Sequence, residues 1–295
     1  MVTIKNRYLL PFISEFQDCV KSATIFTRLD LRGAYNLIRV KEGDEYKTAF
    51  HTCYSQFEYR VIPFGINNAL ATFQAYIDKC LTLYLDDFMV RYLDNILIYS
   101  RTPEEHEERI KLVLAKLREF GLFCKAGKCV FCTKEVGFFG FVISLEGVGM
   151  EGDCVATIED WPTPKAVRDV HVVLEITNIY RRFIQKYAKV TSPISNLRWM
   201  EGNPKWKWTH DVELAFQKLK RLFGEAPILQ HFNPAKPIIL QTDASRFAIV
   251  DIINQYDGLG VLRPMLFYSR TCTPVEQNFD TYDRELLVIF KSLKH

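Results

Sequence analysis

The sequence predicts a multidomain protein of the α+β and α/β classes, and three observations carry that prediction. Short runs rich in β-formers alternate with helical periodicity up to about residue 144. A helical, basic stretch follows over 146–223, and the β pattern returns after 226. With 295 residues, 48% hydrophobic and 25% charged, the chain has material for more than one core.

Residues 26–31 read as a strand, with Asp30 near its end and Gly33 allowing a bend into a helix. The run ATFQAYIDKCLTLYL reads as helical. Residues 88–92 and 96–99 are apolar runs around Leu-Asp-Asn, a β-hairpin signal with Asp94 and Asn95 at or beside the turn. Period-two alternation places Phe88, Val90, Tyr92 and Asp94 on one face. Thr102-Pro103-Glu104-Glu105 opens a helix as N-cap, N1 proline and capping-box glutamate, and Gly121 closes it. Its apolar stripe is Ile110, Val113, Leu114, Leu117 and Phe120. WPTP and GNPKWKW punctuate the basic stretch. PIILQTDAS, a turn at Tyr256-Asp257-Gly258 and VLRPMLFYSR follow, and a last helix begins near Thr281.

The net charge is +3, but residues 160–222 hold twelve Lys/Arg against six Asp/Glu, so that segment is +6 and the remainder −3. Such a segment is either a nucleic-acid footprint or a solvated helical face. No apolar run approaches the roughly 20 residues of a membrane span, and MVTIKNRYLL is not a signal peptide, so a soluble, intracellular chain is expected. Cys124, Cys129 and Cys132 give the only metal-like cysteine spacing; without a nearby fourth ligand, buried thiols are the preferred reading over structural zinc.

Tyr84-Leu85-Asp86-Asp87 is echoed by Tyr92-Leu93-Asp94-Asn95. The first pair of acids connects a helical run to a strand and reads as solvated loop. The second copy sits at a hairpin tip, a rigid support at a sheet edge that suits a metal site. Asp30 alone reads as a cap or turn residue. Paired in space with Asp94, it would form a two-carboxylate cradle for two-metal phosphoryl transfer.

FTRLDLRGAYNLIRVKEGDEYKTAF, FEYRVIPFGINNALATFQ, RYLDNILIYS and VGFFGFVIS resemble, in order and spacing, the reverse transcriptase of gypsy-type LTR retrotransposons. The resemblance continues through WPTPKAVRDV, NIYRRFI and WKWTHDVELAFQKLK, then into ILQTDASRFAI and NFDTYDRELLVIFKSLKH, which look like the start of an RNase H domain. It implies a right-hand polymerase palm with partial fingers over 1–145, a helical thumb/connection over 146–225 and a truncated RNase H-like domain over 226–295. By position it makes Asp30, Asp94 and Asn95 catalytic, with two magnesium or manganese ions held by Asp30, Asp94 and the Leu31 carbonyl. Tyr35, Phe64, Gly65 and Gln74 would line the incoming dNTP. Tyr92, Phe139, Gly140, Arg181 and Arg182, with Lys186 and Lys189, would contact primer and template. Asp243 and Glu285 would be RNase H metal ligands. The implied partners are an RNA template, a DNA primer, the RNA/DNA hybrid, the rest of the Pol polyprotein and, in one assembly, a second copy. The implied location is the cytoplasm, in a virus-like particle, or the nucleus.

Departures from the family pattern cluster at informative places. Asn95 replaces the second hairpin aspartate, Arg91 stands in an apolar strand, Leu70 replaces proline, Val250-Asp251 replaces small residues, and Glu175 replaces a small packing residue. The resemblance also implies that family members extend upstream of this chain and beyond His295, so a polyprotein fragment, intact or from a decayed copy, is expected. The alternative function is a catalytically inactive remnant that still binds nucleic acid or a partner.

Overall fold

The computed structural model describes residues 5–6, 20, 23–85, 87–200, 206–245 and 248–293. The chain divides into two compact units, 1–139 with 143–145, and 140–142 with 146–295. The segments expected as thumb/connection and RNase H-like domain fall in one unit.

In the first unit, β1 (Ile25–Asp30) is followed by a small hairpin, β2 (Phe50–His51) with β3 (Gln56–Phe57), and by helix α1 (Ala69–Leu81). Then come β4 (Met89–Tyr92), β5 (Asn95–Ser100), helix α2 (Pro103–Glu119), β6 (Val130–Thr133) and β7 (Glu135–Phe138). The main sheet runs in the order β4-β5-β1-β6, all antiparallel. Alternation along β1 and β5 feeds two cores. Leu29, Ile96 and Ile98 pack with Phe73, Ile77 and Leu81 of α1 and Val113 and Leu117 of α2. Phe26, Leu97, Tyr99 and Val90 pack on the other side with Val136 and Phe138. Each such side chain stabilises the fold by roughly 1.5–3 kcal/mol, so the strand ends rest on a sheet packed on both faces.

Helix α2 starts as its sequence dictates. Thr102 Oγ1 accepts from the Glu105 N–H at 3.3 Å, while Glu105 Oε2 accepts from the Arg101 N–H at 3.2 Å. Gly121, at φ 66°, follows its end. Leu114, expected in the apolar stripe, is exposed instead. Phe88 packs with the α1/α2 core rather than with Val90, because it precedes the regular strand and period two does not reach it. Gly33, at φ 61°, admits a single 3-10 turn (Ala34–Leu37) rather than a helix. Cys124 and Cys129 are half-buried and Cys132 is exposed, against the expectation of buried thiols.

The second unit takes up the chain within β8 (Phe141–Ser144) and continues through β9 (Val148–Met150) and helices α3 (Gly152–Glu159), α4 (Val167–Ile179), α5 (Tyr187–Ser195) and α6 (His210–Gly224). An antiparallel meander follows: β10 (Ile239–Ala244), β11 (Ala248–Tyr256) and β12 (Leu262–Thr271), with α7 (Thr281–Leu293) against β10 and β11. Glu175 lies on the exposed side of α4, so it costs no packing. Asp251 is 0% exposed in β11, where it does place an acid in the interior. Among the described residues no helix is long and apolar enough to cross a membrane.

Candidate functional site

Two strand ends meet at one edge of the main sheet. Asp30 closes β1, and its register partner on β5 is Asn95. The Leu31 N–H donates to the Asp94 carbonyl at 2.9 Å, so the backbones of the two acids' segments are hydrogen-bonded neighbours. Leu93 and Asp94 form the two-residue turn between β4 and β5, with Tyr92 and Asn95 paired at its base. Leu93 holds φ 55°, a left-handed conformation that costs a branched side chain about 1–2 kcal/mol. The surrounding strands over-determine this strained turn, which carries Asp94 at the sheet edge. The Asp30 side chain is 16% exposed, and Lys128 Nζ lies 3.7 Å from its Oδ2.

An aromatic pocket lies beside these acids. Tyr35 sits on the 3-10 turn that follows β1, edge-on to Phe64 at 5.4 Å and against Phe73 of α1 at 5.3 Å between ring centroids. Phe73 is buried, whereas Phe64 is 77% exposed, so the pocket has a fixed floor and an open rim. Burial, and then the negative charge of Asp94, push the Tyr35 phenol above its ordinary value. The aromatic pocket and the Asp94 tip are therefore within electrostatic reach of each other. Gly65 takes φ 96° at the pocket rim, a conformation suited to glycine. Gln74, expected to line the nucleotide, is instead 1% exposed, with both amide atoms lacking a hydrogen-bond partner. Helical phase turns it inward, which a motif comparison does not register.

Tyr92 and Phe139 are brought together, with ring centroids 3.8 Å apart. Phe139 and Gly140 are consecutive left-handed residues at φ 53° and 80°. A Cβ at Gly140 would collide with the Tyr180 hydroxyl, so glycine is required there. Asp87 lies before β4, while Asp94 follows it, so about 13 Å of strand separates the two. Asp86 lies outside the described residues.

Comparison with known proteins supplies the family. Residues 3–143 match the family described as reverse transcriptase (RNA-dependent DNA polymerase), and residues 208–295 match the RNase H-like domain found in reverse transcriptase. Residues 3–143 belong to the reverse transcriptase family, and residues 208–295 to the RNase H-like domain found with it. The transposon Tf2-7 and Tf2-8 polyproteins of Schizosaccharomyces pombe are each 37% identical over 290 residues, covering 98% of this chain and 22% of the relative. The chain thus spans about a fifth of the length of these curated relatives. Among solved structures, a foamy viral protease-reverse transcriptase in complex with ds DNA shares the fold with a TM-score of 0.84 at 20% identity, over 99% of this chain and 50% of that one. A second foamy viral protease-reverse transcriptase, in complex with RNA/DNA hybrid, gives a TM-score of 0.73 at 21% identity, over 94% and 38%.

The donors at the reverse transcriptase edge are hard oxygens, two carboxylates and backbone carbonyls, a set that suits magnesium or manganese. Among the described residues no three His, Cys, Asp or Glu side chains converge. An ion held by two carboxylates completes its shell from water or phosphate oxygens, as magnesium does, so the residues present fit the ions that the family implies.

In the RNase H-like part, Asp243 lies on β10 and pairs with Lys186 at 3.1 Å, while Glu285 is exposed on α7. Among the described residues no group of three acids forms there. Of the basic residues expected on nucleic acid, Arg181 donates to the Ser269 carbonyl at 2.7 Å and Lys186 is taken up by Asp243. These contacts tie the helical segment to the sheet. Arg182 is half-exposed and Lys189 exposed. Sequence reasoning missed Lys128 at Asp30 and Asp78 as the partner of Arg91. Neither has a local signal, because each contact is made by the fold.

Proposed function

We infer that the first unit carries out RNA-directed DNA polymerisation, adding deoxynucleotides from dNTPs to a primer 3′-hydroxyl, as part of a gypsy-type retrotransposon polyprotein. The observation that carries this reading is the backbone bond joining the Asp30 and Asp94 segments beside the Tyr35 pocket. Asp30, Asp94 and the Leu31 carbonyl would hold magnesium or manganese ions, which would supply activation of the attacking hydroxyl and neutralisation of the leaving pyrophosphate. Tyr35, kept neutral, presents its ring beneath the deoxyribose and leaves no room for a 2′-hydroxyl. Phe64 closes the open rim of that pocket, with Gly65 letting the backbone turn at it. The Tyr92–Phe139 contact holds the primer terminus against the acid tip. Arg182 and Lys189 meet the duplex backbone through charge, without reading sequence. Asp243 and Glu285 belong to an RNase H centre. The site of action is intracellular.

Asn95 favours a second reading, a chain that binds hybrid without extending it, because one carboxylate of the hairpin pair is gone. Incorporation of dTTP on a poly(rA)·oligo(dT) template, run beside binding of the same hybrid, separates the two. Divalent-dependent incorporation supports the polymerase; hybrid binding with none supports the remnant.

A further inference from the structure

Arg91 is the only charged residue of β4, and it is 4% exposed. Its Nε donates to Asp78 Oδ1 at 2.6 Å, and Nη2 makes a second contact to the same oxygen. Nη2 also reaches the Gln74 carbonyl at 3.4 Å. Gln74 and Asp78 are four residues apart on α1, so one guanidinium grips successive turns of that helix. Arg91 Nη1 and the Gln74 amide remain buried without partners, so this polar cluster does not earn its place by simple satisfaction of hydrogen bonds.

Its position gives it another role. Arg91 lies three residues before Asp94, on the strand that leads into the strained Leu93 turn. The helix it grips carries Phe73, the floor beneath Tyr35. We propose that Arg91 and Asp78 form a positioning pair that fixes the Asp94 turn relative to the helix flooring the Tyr35 pocket. Neither residue touches an ion or a nucleotide; both act through Asp94 and Phe73. An apolar residue would fill β4 at less desolvation cost, but apolar packing is non-directional, whereas a charged hydrogen-bonded contact fixes an angle and a register. The inference rests on reading Asp30 and Asp94 as a divalent-ion site.

The test uses the full chain, with Mn2+ affinity measured by titration calorimetry beside the thermal unfolding midpoint, for Arg91→Leu, Asp78→Leu and the double variant. Asp78→Leu leaves the buried Arg91 guanidinium unpaired, and Arg91→Leu leaves a partly exposed Asp78 carboxylate unpaired; the midpoint falls in both, more in the first. The double variant removes both charges and recovers it. All three weaken Mn2+ binding by roughly 10–100-fold, the range for groups that orient metal ligands. Weak Mn2+ binding in a double variant with wild-type stability establishes positioning, which a purely structural pair would not produce. Wild-type affinity in that double variant overturns the inference and leaves the functional reading intact. A wild-type chain that binds no Mn2+ overturns both.

Discussion

Asn95 stands directly opposite Asp30 across the antiparallel pair of β1 and β5. The Leu31 N–H to Asp94 carbonyl bond makes this the narrow, non-hydrogen-bonded kind of pair, with both side chains on one face. Their Cβ atoms are then about 4.5–5.5 Å apart. Asparagine keeps the shape of aspartate and removes a charge that would face Asp30. Asn95→Asp therefore lowers the unfolding midpoint in EDTA, because like charges directly opposed repel, and magnesium restores it. Primer extension by the variant rises most at low magnesium, within the roughly 10–100-fold expected of a supporting group. Equal midpoints in EDTA and magnesium for the variant would contradict this relationship.

His106 is buried at the start of α2, hydrogen-bonded to Thr27 of β1 at 2.8 Å and to Ser100 of β5 at 2.9 Å. Burial, and then the charge of Arg109, lower its pKa, with Glu105 opposing. The folded state thus prefers the neutral ring. Its stabilisation is present above the unfolded histidine range near ~6.5 and is lost as pH falls toward the lower folded value. Urea unfolding between pH 8 and pH 5 should show the wild type losing more stability than His106→Gln over that interval.

Asp251 behaves in the opposite sense. Burial raises its pKa; Ser292 and the Ile252 and Gln241 backbone lie near enough to oppose this, yet neither carboxylate oxygen attains hydrogen-bond geometry. The folded state therefore favours the neutral acid more than the unfolded chain does. Stability is fully present below the unfolded carboxylate range and drains as pH rises through the folded value. Asp251→Ala is expected to stabilise by about 1–3 kcal/mol, the cost of an unsatisfied buried polar group. Thermal melts at pH 5 and pH 8 should show the larger gain at pH 8.

Leu93→Gly relieves the left-handed strain at the hairpin tip, where φ is 55°. A gain of up to about 1 kcal/mol in stability is expected, offset in part by the freer unfolded chain. The same change frees the turn that carries Asp94, so Mn2+ affinity falls while the midpoint rises. Calorimetry on the folded variant reads both.

Much of this was legible in the sequence because it is local. The cap at Thr102 and Pro103, the hairpin around Asp94 and the strand end at Asp30 are each specified within a few residues. The Arg91–Asp78 contact was not, since its partner lies 13 residues back on another element. Gln74 shows the same limit: the motif names the residue, but the helix phase that buries it is set by packing against the sheet. Glu175 shows the converse: it departs from the family pattern at a packing position, yet α4 presents that position to solvent. Lys128 at Asp30 depends on the loop after α2 returning to the end of β1, where the Lys125 N–H donates to the Asp30 carbonyl at 2.8 Å.

Incorporation of dTTP on poly(rA)·oligo(dT) with magnesium, by the full chain and by Asp30→Asn, Asp94→Asn and Asp87→Asn, tests the central claim most directly. The account predicts incorporation by the wild type, loss to background in the first two variants, and wild-type rates in Asp87→Asn, whose acid lies at the other end of β4. Incorporation that survives Asp30→Asn or Asp94→Asn, or that is lost in a folded Asp87→Asn, would contradict it.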